Sequence, residues 1–443
     1  MPKSPGSGLC SAGSPTARTL ACLVILGTAL VSPFAAHAQG LPATGPAELG
    51  LSPPRLERIP PPIERDIAAG LIPGAVILVA RHGRTAYFNA FGMRDKARGQ
   101  PMHPDAIFRL GSMTKPITIA AAMTLIEQGR LSLRDPVSKY LPQLAHMQVG
   151  VEQTDTATGQ TMLQLVPAVR DIRIQDLMRH TSGFTYEALG AGPKVKEMYR
   201  EAGIGSRDQT VPELVDRLAL LPLMHQPGTV WEYGRSIDVL GRILELITGM
   251  RLSEVLAQRI LGPLHMRDTG YWVPPEKHAR IADVLPAPAE ERELFPDVTH
   301  PPTLEGGGGG LVSTAADYAR FMQMLLNGGT LDGARILSRT SVELMTIDQL
   351  GPEVETRGWS YYPGPGYGYG LGFAVRKTLG VSPQIGSVGD YFVEGLYGTF
   401  AFADPREQLL AVFMIQSQEW RYYRPLVKAL VLQSVVRCHL RAC

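Results

Sequence analysis

Ser112 and Lys115 stand three residues apart in Phe108-Arg109-Leu110-Gly111-Ser112-Met113-Thr114-Lys115-Pro116. On a helix, that spacing puts two side chains on one face as near neighbours. A serine hydroxyl is a weak nucleophile until a base stands beside it, and a buried amine can fill that role. The positive field of a helix N-terminus favours the negative charge that develops on the oxygen. The spacing therefore suits a serine that becomes acylated. Taken alone the pattern is weak, because a serine helix cap followed by a solvated lysine is spelled the same way.

The flanking residues predict the helix that such a pair needs. Ile117, Ala121 and Leu125 recur at helical spacing, and Gly129 is a stop signal. Pro116 falls in the first turn, where its missing N–H costs little. Ahead of this helix a hairpin is expected. Residues 74–80 form an apolar run of strand length, His82-Gly83 is a turn, and 84–91 returns.

From about 131 to 300 the pattern reads as helices and long loops, with periodic segments at 177–178, 211–221 and 239–247. Five glycines at 306–310 lack the G-K-[ST] ending of a phosphate loop, so they read as a flexible or tightly turned connector beside packed backbone. Residues 315–326 predict another helix, capped by Thr314 or Ser313. Strands are expected again at 370–375, 398–403 and 409–415, with Asp404-Pro405 as a turn, and a closing helix at 426–436. This order implies an α+β fold: a sheet built from both chain ends, flanked by helices, with a mainly helical insert. The expected division is a lead-in at 39–60, a sheet domain from 61–130 and 305–436, a helical domain at 131–304 and a tail at 437–443.

The first 38 residues read as an export signal. Lys3 and Arg18 precede an apolar run at 20–30, and Ala36-His37-Ala38 resembles a small-residue cleavage site. The run is short for a membrane span, and no other segment approaches the roughly 20 apolar residues a spanning helix needs. A periplasmic or secreted protein without a stable span is therefore expected. A net charge of +2 gives no reason to expect nucleic acid. Cys10 and Cys22 lie in the leader; Cys438 and Cys443 could pair in the tail or remain free thiols. No H-E-x-x-H or C-x-x-C spacing suggests a metal, and nothing calls for a cofactor. No G-x-S-x-G elbow occurs, which excludes an α/β-hydrolase nucleophile.

Six stretches carry a resemblance. They are Gly111-Ser112-Met113-Thr114-Lys115; Leu131-Ser132-Leu133-Arg134-Asp135-Pro136-Val137-Ser138-Lys139-Tyr140-Leu141-Pro142; Leu177-Met178-Arg179-His180-Thr181-Ser182-Gly183; Gln226-Pro227-Gly228-Thr229-Val230-Trp231-Glu232-Tyr233; Gly308-Gly309-Gly310-Leu311-Val312-Ser313-Thr314-Ala315-Ala316-Asp317-Tyr318; and Gly398-Thr399-Phe400 through Asp404-Pro405. In this order they resemble the class C β-lactamase-like serine hydrolases, especially the family VIII carboxylesterases. The resemblance implies a β-lactamase and penicillin-binding-protein-like fold. It implies Ser112 as the acylated nucleophile, Lys115 as its proton partner and Tyr233 as the completing base. Tyrosine titrates near 10, so a phenolate role requires a nearby cation, which Lys115 could supply. Without the resemblance, Tyr233 reads as a core aromatic behind Pro227-Gly228.

The chain departs from the family's lactamases in two places. Tyr233-Gly234-Arg235 replaces Tyr-x-Asn, so the asparagine that would hold a lactam side chain is absent. Val393-Glu394-Gly395 replaces Lys-Thr-Gly on what is expected to be an edge strand. Arg235, Val393, Glu394 and Gly395 are thus candidate pocket residues, with only one of Val393 and Glu394 pointing inward. The family places the oxyanion between two backbone N–H groups, here those of Ser112 and Leu396. The expected activity is hydrolysis of a small carboxylic ester through an acyl-serine. A β-lactamase, a D-stereospecific peptidase and a non-catalytic binder of peptidoglycan-like ligands are the alternatives. The sequence gives no oligomeric state.

Overall fold

A computed structural model describes residues 40–436 apart from 155, 157, 160, 188–192, 285–294, 357–362 and 418–419. The expected leader and tail, with all four cysteines, lie outside the described residues.

The first strand, β1 (Gly74–Arg81), is buried at every position. A strand covered on both faces reads as an unbroken apolar run rather than an alternating one. Val76, Leu78 and Ala80 face one core cluster, while Ala75, Ile77 and Val79 face another. The strand turns back through β2 (Arg84–Asp95) to the short β3 (Gln100–Pro101). The C-terminal part of the chain supplies β4 (Tyr367–Tyr369), β5 (Ala374–Arg376), β6 (Tyr391–Glu394), β7 (Phe400–Asp404) and β8 (Leu409–Met414). These eight form one sheet in the order β4-β5-β6-β7-β8-β1-β2-β3, with antiparallel pairing throughout. The two chain ends are joined where β1 pairs β8, with Ile77 opposite Phe413 and Val79 opposite Ala411.

Helix α1 (Pro60–Ala68) and the C-terminal helix α4 (Trp420–Leu432) contribute to the core on one face of the sheet. On the other face lie α2 (Thr114–Glu127) and α3 (Ala315–Leu326). Residues 114–125 of α2 are all buried. A helix that is apolar all round must sit inside the molecule, and this one joins the sheet to the middle of the chain. Ile117 and Leu125 share a core cluster with Leu177, Leu214, Leu240 and Leu410, so the apolar interior is continuous from sheet to insert.

Four expectations need correction. Most of the strand expected at 370–375 is instead the turn between β4 and β5, where Gly372 has φ +88° and the Gly370 N–H donates to Phe373 O at 2.8 Å; only Ala374 and Val375 are strand. Strand β6, expected at a sheet edge, lies third from it because β4 and β5 pair beyond it. Helices at 174–178, 211–219 and 236–248 cover the expected segments, but the insert also has a helix at 194–201 and a hairpin of Gln148–Thr154 with Thr161–Pro167. Most of that hairpin is exposed, so its sequence lacks the apolar alternation that marks a half-buried strand. The last helix begins before 426 and runs through Pro425.

Candidate active site

Ser112 sits on a 3₁₀ turn, Gly111–Met113, that runs directly into α2. Gly111 takes φ +55°, a left-handed conformation that glycine adopts without penalty. Neighbouring backbone and hydroxyl groups tie the turn down from several elements. The Leu110 N–H donates to Leu311 O at 2.8 Å, the Tyr318 hydroxyl to Met113 O at 2.9 Å, and the Thr399 hydroxyl to Leu110 O at 2.9 Å. The serine is thus held by the strand segment before α3, by α3 itself and by the loop before β7.

Lys115 is buried against it. Its Nζ lies 3.1 Å from Ser112 Oγ and donates to Gly308 O at 2.6 Å. Burial pulls the amine down to about 7, with Asp238 opposing that fall and Arg235 adding to it. A group poised near neutrality is what proton transfer at physiological pH requires. The five-glycine segment reads correctly as packed backbone, but its carbonyls carry more than connection. Gly306 O accepts from the Tyr271 hydroxyl, Gly307 O from Thr118 and Gly308 O from Lys115.

Tyr233 completes a three-way contact. Its hydroxyl is hydrogen-bonded to Ser112, and its ring centroid lies 4.6 Å from Lys115 Nζ. Burial pushes its phenol well above 10; the Ser112 bond opposes this, while Glu394 and Asp238 add to it. Lys115 was expected to supply a cation that would make Tyr233 a phenolate. Burial instead disfavours charge on both groups, pulling the amine down and pushing the phenol up. Trp231, Tyr186 and His180 surround the Tyr233 ring at 5.7, 5.7 and 4.6 Å. His180 is fully buried, and burial, then Lys115, holds it well below 6.5, so this wall is uncharged. Gly234 lets the tyrosine loop approach, since a Cβ there would lie 2.2 Å from Phe184 O.

Arg235 reaches no open pocket as a bare cation. Its guanidinium is 2.9 Å from Glu187 and 3.7 Å from Asp238, and it stacks over Tyr186 with Cζ 4.8 Å from the ring centroid. The choice between Val393 and Glu394 also resolves. Val393 belongs to the cluster on the α2 face, whereas Phe392 packs on the opposite face. Glu394 alternates with Phe392 and pairs with Arg424 of α4 at 3.3 Å. Gly395 is needed for close approach: a Cβ would lie 2.0 Å from Leu110 O and 2.3 Å from Thr399 Oγ1. The next N–H, that of Leu396, lies 3.0 Å from where a Cβ of Gly111 would stand, beside the serine turn.

Sequence reasoning missed Asp238, the Gly308 carbonyl, His180, Glu187 and Arg424. Asp238 left one trace, an acid between Ile237 and Val239 on an apolar helix face. Gly308 and His180 fall within the stretches that carry the resemblance, though their roles depend on contacts distant in sequence, and Glu187 and Arg424 left no trace. Among the described residues no group of three or more His, Cys, Asp or Glu could hold a metal ion, and no helix is long and apolar enough to cross a membrane.

A sheet closed from both chain ends, with a serine–lysine helix packed beneath it, is the architecture shared by β-lactamases and penicillin-binding proteins. It matches the penicillin-binding protein homologue of Pyrococcus abyssi with a TM-score of 0.61 at 22% identity, over 86% of this chain and 77% of that one. The chain belongs to the β-lactamase family, whose profile (Beta-lactamase) matches residues 63–434. Esterase EstB of Burkholderia gladioli is 32% identical over 351 residues, 75% of this chain and 82% of that protein. The structure of "EstCE1, a hydrolase with promiscuous acyltransferase activity" superposes with a TM-score of 0.69 at 28% identity, covering 85% of this chain and 97% of that one. Within that family the chain is a class C β-lactamase-like serine hydrolase with esterase and acyltransferase relatives.

Proposed function

We propose that this protein hydrolyses small carboxylic esters through an acyl-enzyme on Ser112. The observation that carries the reading is the buried Lys115 amine, 3.1 Å from Ser112 Oγ and shifted to about 7. In the proposed cycle the neutral amine takes the serine proton as Oγ attacks the ester carbonyl carbon. The carbonyl π electrons move to oxygen, and the N–H groups of Ser112 and Leu396 receive that charge. The tetrahedral centre collapses, and the leaving alcohol takes a proton from Lys115 relayed through the Tyr233 hydroxyl. Water then repeats the sequence on the acyl-serine and releases the acid.

The ester assignment rests on what the pocket does not offer. The carboxylate of a penicillin or cephalosporin needs a cation near the third element. Arg235 is engaged by Glu187 and Asp238, and Val393-Glu394-Gly395 brings none. A neutral ester requires no such contact. The name of Esterase EstB agrees with this reading. The leader residues Lys3, Arg18 and 20–38 support action outside the cytoplasm.

Intact-mass spectrometry on the protein mixed with short-chain esters, or with a neutral fluorophosphonate, tests the reading. A stoichiometric adduct mapped to Ser112 and absent from Ser112→Ala is expected. Turnover by a folded Ser112→Ala variant would sink it.

A further inference from the structure

Asp238 lies near the start of the helix Ser236–Thr248, with only 3% of its surface exposed. Its Oδ1 accepts the Gly308 N–H at 2.8 Å, and the carbonyl of that same glycine accepts Lys115 at 2.6 Å. The carboxylate therefore grips the peptide that grips the amine. Only glycines fit this approach: a Cβ on Gly306 would stand 2.8 Å from Oδ1, and one on Gly308 3.1 Å from it. Gly306 and Gly308 thus have a local cause in the acid they approach, while a Cβ on Gly307 would instead meet Ile237 O at 2.3 Å.

We propose that Asp238 is a positioning residue for acyl transfer, which both fixes the Gly308 carbonyl on Lys115 and supplies the counter-charge that limits how readily the amine gives up its proton. The proposal rests on the assignment of Ser112 and Lys115 made above. The groups facing Lys115 are Ser112, Tyr233, Tyr186, Arg235, Asp238 and the neutral His180. Asp238 is the one carboxylate among them that raises the amine, and Arg235 is the cation that opposes it. Those facing Asp238 are Lys115, Arg235, Tyr186, Tyr233 and Tyr271. Asp238 thus faces both Lys115 and Arg235, the latter shared with Glu187, and its charge helps set the pH at which the nucleophile is ready.

Asp238→Asn separates the two roles. The amide oxygen can still accept the Gly308 N–H, but the charge is gone. The readout is the pH dependence of Ser112 labelling by a neutral fluorophosphonate, which needs the nucleophile but no particular ester. In the wild type the labelling rate should fall below about pH 7. In Asp238→Asn this acid limb should move down by about one unit, so that relative labelling on the acid side rises about tenfold. Asp238→Ala, which also releases Gly308, should lose most of the plateau rate as well. Arg235→Met removes the opposing cation and should move the limb upward; it gives the answer if Asp238→Asn fails to fold. An acid limb that moves in neither variant overturns the proposal and leaves the serine assignment standing. Absence of labelling at Ser112 in the wild type overturns both.

Discussion

The Arg424 guanidinium of α4 donates to both carboxylate oxygens of Glu394 at 3.3 Å, and its Cζ lies 4.9 Å from the centroid of the Phe392 ring. This pair packs on the α4 side of the sheet, from which the Glu394 charge adds to the upward push that burial gives the Tyr233 phenol. Glu394→Gln should leave ester kcat/KM within about twofold of wild type, while lowering stability by about 1–3 kcal/mol for a weakened buried contact. Thermal denaturation and ester kinetics on the same preparation check both halves. A variant that gained activity toward anionic esters would place Glu394 in the pocket instead.

The titration of Lys115 gives a second expectation. Only the neutral amine accepts the serine proton, so kcat/KM should rise through about pH 7 and fall tenfold per unit below it. Stability runs the same way. The folded amine is lowered from 10.5 to about 7, so the unfolded chain binds the extra proton between those values. The cost of burying the amine is therefore fully present below pH 7 and relieved as pH rises toward 10.5. Lys115→Met should be inactive yet no less stable than wild type at pH 7, as measured by urea denaturation. A large loss of stability would show that the lysine holds the fold together rather than acting as a base.

Tyr233→Phe should bind substrate and slow turnover by about 100-fold or more, the usual loss for a proton relay. Because the phenol keeps its proton, the acid limb should stay near pH 7 in the variant. Loss of that limb would make Tyr233 the group that sets it.

Gly395→Ala tests the close approach of β6 to the serine turn. A Cβ placed 2.0 Å from Leu110 O meets backbone rather than a flexible side-chain end, so the loop bearing Leu396 must shift. If the Leu396 N–H stabilises the oxyanion, kcat should fall about 10²–10³-fold. Burst kinetics with a chromogenic ester would assign the loss to acylation.

The parts legible in the sequence share a cause. Residues 74–80 and 409–415 are buried on both faces, and α2 is buried all round, so each appears as an apolar run. Ser112 and Lys115 are legible because helical spacing is local. The exposed hairpin at 148–167 carries no such run. Asp238 acts on Lys115 through Gly308, three segments that meet only in space. The pairing of Arg235 was equally hidden, because its partner Glu187 lies 48 residues away.

That pairing decides the last expectation, the choice between esters and lactams. Arg235 is a cation that could replace the missing lysine as a carboxylate ligand. In the folded chain its side chain is 13% exposed, with the guanidinium 2.9 Å from Glu187 and 3.7 Å from Asp238. To bind a lactam carboxylate it would have to leave at least one of these acids, stranding a buried charge. The pocket therefore forgoes a charge-assisted bond of about 1.5–3 kcal/mol, or roughly 10- to 150-fold, that a cation-bearing relative would gain. A p-nitrophenyl butyrate-type ester should accordingly exceed a chromogenic cephalosporin in kcat/KM by at least that factor. Arg235→Ala should not lower cephalosporin turnover further relative to the ester. If the cephalosporin proves the better substrate and Arg235→Ala removes the preference, the guanidinium does leave its acids for the antibiotic, and the ester assignment fails.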